Sequence, residues 1–309
     1  MPNYAKYFKR GVIWLLEIRT DLALELCESQ KNAGFAKTYS ETKHGMMVTF
    51  TDLDGESAKI LGKPEGKYAT AETGRIWESD FKRFSSVCSG LADVLGGFVG
   101  KAGNGCVLVA GLGNMDVTPD SVGPRVVEKL LVTNHIKTLD PPLFKEAGFG
   151  DVAAISPGVM GQTGIESSSL VISASKCCNA SLIIAIDSLS SHSLSRLGTT
   201  VQITDSGISP GSGVFNTRGG ITRETAGIPV ISLGVPMVVD AATLALDLLE
   251  EKSDTSTAEK LFSGRGKTLF ITPKETDVIA EKTSLLIASA INRVLHPNVS
   301  PDEITEYIL

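Results

Sequence analysis

The chain has five cysteines, and none forms a CxxC pair: Cys27, Cys88 and Cys106 are isolated, and Cys177 and Cys178 are adjacent. An odd count without metal-ligand spacing argues against a zinc ribbon or a disulfide framework and fits reduced thiols in a cytosolic compartment. Its four histidines, His44, His135, His192 and His296, form no HExxH, and each reads as a surface or capping residue rather than a ligand. An excess of basic residues is also missing. The net charge of −6 argues against a general phosphate-binding surface, though not against a partner protein that itself sits on DNA. No apolar run reaches the length of a membrane span. The stretch Gly11–Leu16 follows Lys6, Lys9 and Arg10 but is too short for a signal peptide and is closed by Glu17 and Arg19. A second run, Ala226–Val239, is broken by Pro229 and Pro236. The expected location is therefore the cytoplasm.

Aromatic residues are scarce at 6 %, whereas the 31 glycines make the chain turn-rich. With 309 residues and 42 % hydrophobic content, one large α/β domain with its own core is the expected organisation. Residues 1–21 read as an appendage to it, and no internal repeat is visible.

Taken in order, Met46–Phe50 and Tyr68–Thr70 predict short strands with a helix over Glu56–Leu61 between them. Apolar residues Phe84, Val87, Leu91, Val94 and Leu95 predict a helix over Phe81–Val99. Cys106–Ala110 reads as a buried strand, ending in Gly111-Leu112-Gly113 and leading through Thr118-Pro119-Asp120 into a helix over Val122–Lys137. Asp151–Ile155 is a further strand. Ser156–Gly164 is a glycine-rich turn before a helix of about a dozen residues that includes Cys177-Cys178, read as core packing. Ala180–Ile186 is a strongly buried strand that terminates in Asp187-Ser-Leu-Ser. Pro229–Val235 and Leu269–Thr272 read as strands, and Asp240–Glu251 and Asp277–Leu295 as helices. Strand, helix and strand in alternation predict a parallel sheet wrapped on both faces. Residues 188–227 break that rhythm, and an irregular stretch of such length in a compact domain is usually functional.

Two carboxylates stand where ligands bind in such a sheet, at the carboxyl ends of strands. Asp120 follows the glycine turn, and Asp187 follows its strand directly. Close carboxylates cannot both ionise cheaply, so one retains a proton and the pair can serve as general acid and general base. Competing readings exist. Gly111-Leu-Gly113 begins a dinucleotide fingerprint, but Asp116 stands in the place of the third glycine, where it would repel a pyrophosphate. Asp120 could be only a helix cap. Gly207-Ile-Ser209-Pro-Gly211 matches the nucleophile elbow, with Asp240 and His296 in the required order, but Pro210 and the glycines forbid the helix that must follow. Arg218 and Arg223 could bind a substrate carboxylate or merely pair with Glu224.

Together these stretches resemble a known family. Gly111-Leu-Gly-Asn114, Thr118-Pro-Asp120, Ser156-Pro-Gly-Val-Met-Gly-Gln-Thr-Gly164, Ala185-Ile-Asp187-Ser-Leu, Ile203–Asn216 and Arg19-Thr-Asp-Leu-Ala23 resemble the germination proteases of spore-forming bacteria. The resemblance implies an endopeptidase that degrades small acid-soluble spore proteins in the spore core, made as a homotetrameric, self-processing zymogen. It implies a three-layer α/β/α sandwich with a mostly parallel sheet, like that of the hydrogenase maturation endopeptidases. The catalytic aspartates map onto Asp120 and Asp187, with no cofactor. A metal-dependent mechanism of the hydrogenase-maturation type, using the same two acids and a histidine, is the alternative. Family substrates are cut after an acid and before an aliphatic residue followed by alanine. Asp21-Leu22-Ala23 fits as the self-cleavage site, Glu25 fits an acidic recognition sequence, and mild acidification is the expected trigger. The N-terminal segment is longer and more apolar than the family's usual one. No direct contact with nucleic acid or membrane is expected.

Overall fold

The computed structural model describes residues 20–29, 36–209, 219–241, 243–244 and 269–308. In chain order these form α1 (Ala23–Ser29), β1 (Lys37–Lys43), β2 (Met46–Leu53), α2 (Gly55–Leu61), β3 (Gly66–Glu72), α3 (Phe81–Val99) and β4 (Val107–Gly111). There follow α4 (Val122–Val127), α5 (Asn134–Leu139), α6 (Pro141–Glu146), β5 (Val152–Ile155), α7 (Met160–Thr163), α8 (Ser167–Cys177) and β6 (Leu182–Ser191). The chain continues through β7 (Thr200–Thr204), α9 (Arg223–Ala226), β8 (Val230–Asp240), β9 (Phe270–Ile271), α10 (Thr276–Leu295) and α11 (Pro301–Ile308).

One sheet runs through the molecule in the order β1-β2-β3-β7-β8-β6-β4-β5, with β9 alongside β8. The half that carries the aspartates, β5-β4-β6-β8, is parallel as expected. The other half is antiparallel. Its outer hairpin follows from local chemistry, since His44 and Gly45 both take positive φ (48° and 72°), the conformation a two-residue turn demands between twisted strands.

Both faces are covered, which makes the molecule a three-layer α/β/α sandwich. Val107, Val109, Ile184, Ile186, Ile203 and Leu233 face the large core formed with α3, α4 and α10. Leu108, Ala110, Ile183, Ala185 and Val230 face the other layer, where Val171 of α8 packs. Alternation along the strands sets which side chains reach which layer.

Three local expectations are corrected. The helix expected over Val122–Lys137 stops at Val127, because Asn292 of α10 captures the chain beyond it: its side chain accepts from the Leu131 amide (3.0 Å) and donates to the Lys129 carbonyl (3.0 Å). The strand expected to end before Asp187 runs on to Ser191, because β8 stays beside it after β4 has left. Cys178 is half-buried against the α8 layer, but Cys177 is exposed. The helix expected over Asp240–Glu251 lies mostly outside the described residues; 241, 243 and 244 are helical.

Candidate active site

The site begins where β4 separates from β6. Their last rung joins Gly111 to Ile186, and the Leu112 amide still donates to the Ile186 carbonyl at 2.8 Å. Asp187 is thus the first β6 residue with no β4 partner, and its side chain points to the face opposite Ile186. The departing chain turns back so tightly that only glycine fits: a Cβ on Gly113 (φ +111°) would lie 2.1 Å from the Asp120 carbonyl oxygen. Similarly, a Cβ on Gly123 would stand 2.3 Å from the Leu112 oxygen and 2.6 Å from the Ile186 oxygen, so α4 can begin directly against the sheet edge.

Asp120 closes a short 3₁₀ turn, Thr118–Asp120, before α4. The cap reading does not describe it, since its carboxylate Oδ2 accepts instead from the Asn114 amide at 2.9 Å, and the same amide also reaches the Asp120 carbonyl at 3.0 Å. Asn114 is in turn fixed by Gln162 of α7, whose amide donates to its Oδ1 at 2.9 Å. The glycine-rich turn after β5 therefore supports the first aspartate. Among the described residues, Asp187 accepts only from the Ser188 amide, at 2.9 Å. Asp116 lies exposed in the turn.

Burial pushes the Asp120 carboxyl up to about 6, although the Asn114 amide opposes the rise. Asp187 is 8 % exposed and is raised well above the usual carboxylate range, first by burial and next by the charge of Asp120. The charge of Asp21 adds to the same effect. The charge of Asp120 disfavours a second anion at Asp187, so the titrations of the two carboxyls are coupled.

The segment around Asp21 lies against the same strand. The Asp21 amide donates to the Ser190 carbonyl (2.9 Å), and the Ser190 amide donates to Asp21 Oδ2 (2.8 Å). Leu22 and Ala23 are fully buried. Glu25 accepts from the backbone amides of His192 (2.7 Å) and Ser193 (3.1 Å), with Arg196 Nε at 3.5 Å. Beside the segment lies a cavity of about 320 Å³ whose wall includes Asp21, Lys63, Tyr68, Gln202 and Thr222.

Other candidates stand elsewhere. Arg218 lies outside the described residues. Arg223 is exposed at the start of α9, next to Thr222 of the cavity wall. His296 is fully buried, accepting from the Gly150 amide and donating to the Leu131 carbonyl, and Asp240 caps the turn at Thr243, so no triad with Ser209 is assembled. Among the described residues no three His, Cys, Asp or Glu side chains are grouped to hold a metal ion. Nor is any described helix long and apolar enough to cross a membrane. Lys63 and Gln202 carry no local sequence signal, because their partners are 42 and about 180 positions away.

A family model described as germination protease matches residues 18–251. The germination protease of Caldanaerobacter subterraneus is 38 % identical, over 96 % of this chain and 100 % of its own. That of Clostridium perfringens is 37 % identical, over 95 % of this chain and 100 % of its own. The Bacillus subtilis protein of the same name is 32 % identical, over 94 % of this chain and 96 % of its own. Among solved structures, the [NiFe] hydrogenase maturation protease HycI from Thermococcus kodakarensis matches 65 % of this chain and 98 % of its own, with 16 % identity and a TM-score of 0.38. With relatives this similar along nearly its whole length, the chain belongs to the germination protease family.

Proposed function

We propose that this germination protease is an aspartic-type endopeptidase that degrades small acid-soluble spore proteins, with Asp120 and Asp187 as its catalytic pair. The observation that carries the reading is the coupling of two raised carboxyls at the point where β4 leaves β6, with an acid-aliphatic-alanine segment docked on the same strand. Residues 1–21 are the propeptide, removed by cleavage between Asp21 and Leu22. The enzyme is a homotetramer of the spore core that needs no cofactor, and Arg223, at the cavity rim, meets acidic side chains of the substrate.

Asp187 is the more deeply buried of the two and holds the shared proton. Asp120, ionised above about pH 6, takes a proton from water as the oxygen attacks the scissile carbonyl carbon. Asp187 gives its proton to the carbonyl oxygen. When the tetrahedral diol collapses, the C–N bond breaks and the leaving nitrogen takes the proton that Asp120 gained. A diol hydroxyl returns a proton to Asp187, and the pair is restored.

The test is to incubate the protein with a small acid-soluble spore protein and weigh the fragments. Cuts on the carboxyl side of acidic residues, lost in Asp120→Asn and Asp187→Asn, support the reading. An uncut substrate overturns it.

A further inference from the structure

Lys63 follows the glycine that ends α2, and only 18 % of its side chain is exposed. Burial lowers its pKa, and the nearby Asp21 partly restores it. A buried ammonium needs anionic or carbonyl partners, because the cost of desolvating it is otherwise uncompensated. Lys63 has both on one residue: its Nζ donates to the Asp21 backbone carbonyl at 3.1 Å and stands 4.0 Å from the Asp21 carboxylate.

Gln202 meets the same carbonyl. Its Nε2 donates to the Asp21 oxygen at 3.2 Å, while its Oε1 accepts from the Ala23 amide at 2.8 Å. One side-chain amide thus brackets the Asp21–Leu22 bond from both sides. The sheet places it there: Gln202 pairs with Gly234, and Gly234 pairs with Asp187, so all three lie in one row across β7, β8 and β6. Side chains in such a row share a face, and two strand spacings put Asp187 about 10 Å from Gln202 at the backbone. Gly234 contributes no side chain between them, and the Leu189 side chain lies over it instead, where a Cβ on Gly234 would stand 2.3 Å from Leu189 Cδ1. A carbonyl held by Gln202 therefore lies on the Asp187 side of the sheet.

We infer that Lys63 and Gln202 form the oxyanion hole of the enzyme, and that Lys63 also selects an acidic residue before the scissile bond. The inference rests on the cleavage site proposed above. Two donors on one carbonyl oxygen polarise it and stabilise the partial negative charge that builds there as water adds and before the Asp187 proton arrives, as preorganised donors do in acyl-transfer enzymes. The lysine reads the side chain and the carbonyl of the same residue, so recognition and activation are joined in one group. Once residues 1–21 depart, the wall of Lys63, Tyr68 and Gln202 is open to the acid of an incoming chain.

Two measurements on the full-length chain test this. The first follows self-cleavage by mass in Lys63→Gln, Asp21→Asn and the double variant. Loss of one oxyanion donor costs about 10²–10³-fold, so Lys63→Gln should slow cleavage by about that much, and Asp21→Asn, which keeps the carbonyl and its donors, should slow it less. The double variant should be little slower than Lys63→Gln, because the side-chain contact that Asp21→Asn removes is already lost when the lysine is gone. Multiplying effects, or a Lys63→Gln chain that cleaves normally, overturns the inference. The second uses the Asp120→Asn background, where no cleavage is needed, and reads hydrogen exchange at the Asp21 and Ala23 amides. Adding Lys63→Gln should speed exchange at both at least tenfold, and unchanged exchange overturns the clamp. A parent chain that never processes, with exchange still responsive to Lys63, overturns the cleavage site and leaves the clamp standing.

Discussion

After burial, the charge of Asp120 is the largest cause raising the Asp187 carboxyl above the usual carboxylate range. Among the described residues neither has a cationic partner to relieve that repulsion; what each has is one backbone amide neighbour, Asn114 for Asp120 and Ser188 for Asp187. The pair is therefore unstable as two anions and serviceable as an acid and a base. Asp120→Asn and Asp187→Asn should each lower peptide cleavage by about 10²–10⁴-fold, since an amide keeps the shape but transfers no proton. Asp116→Asn should cost far less, because Asp116 is exposed and, among the described residues, only its backbone amide and a long contact to Gln162 tie it to the site. Turnover close to normal in either pair variant would reject the assignment.

The same arrangement fixes a pH profile. Below about pH 6 Asp120 becomes protonated, no base remains, and kcat/KM should fall about tenfold per pH unit. The alkaline limb belongs to Asp187, whose carboxyl is raised above the usual carboxylate range by burial and by the charge of Asp120. Steady-state rates from pH 4.5 to 9 would show the acid limb. A profile flat down to pH 4.5 would be incompatible with Asp120 as the base.

Stability should carry the opposite signature. Asp120 has a folded pKa of about 6 against an ordinary 3.8, so its contribution is fully present below 3.8 and lost as pH rises through 6. At pH 8 the ionised carboxyl costs about 3 kcal/mol at most, since each tenfold change in acidity is worth about 1.4 kcal/mol. Asp120→Asn should therefore raise stability at pH 8 and leave it unchanged near pH 4. Urea unfolding at the two values measures the difference, and an equal effect at both would remove the pKa argument.

Much of this architecture is legible in the sequence, and what is not has a common cause. The spacing of Val87, Leu91, Val94 and Leu95 states a helix because the information is local, and α3 spans Phe81–Val99 as expected. The glycines around Asp120 likewise announce a tight turn. By contrast, β6 outlasts its predicted end because β8, some forty positions on, continues to pair with it. The helix after Asp120 is cut short by Asn292, more than 150 positions away. Antiparallel pairing of β3 with β7 has no local signal either, since a strand's pattern shows burial and not direction. Lys63 belongs to the same class. It reads as an ordinary helix-terminal lysine until Asp21 is placed against it.

Metal dependence is separable from the pair. A two-carboxylate mechanism uses no ion, so exhaustive chelation should leave the rate unchanged. A hydrogenase-maturation-type mechanism needs further ligands beside the two acids. Inactivation by a chelator, reversed by adding a transition metal, would decide for that alternative.

Self-cleavage brings these relationships together. Leu22 and Ala23 are fully buried, Asp21 is bonded twice to Ser190, and Glu25 is seated on the His192 and Ser193 amides. Burying Leu22 alone contributes about 2 kcal/mol, so the segment resists leaving the seat that water must reach. Processing should therefore be slow. Because the segment is docked on β6 of its own chain, it should also be first-order, with a rate constant unchanged over a hundredfold range of protein concentration. The base of the pair is lost below about pH 6, where Asp120 becomes protonated. The expected acid trigger thus works only down to about pH 6, and stronger acid should stop the cut. N-terminal sequencing should give Leu22 as the first residue, and Asp120→Asn should stay full length. A different first residue, a rate that rises with concentration, or processing that persists in Asp120→Asn would each show that this chain does not cut itself at the bond it holds.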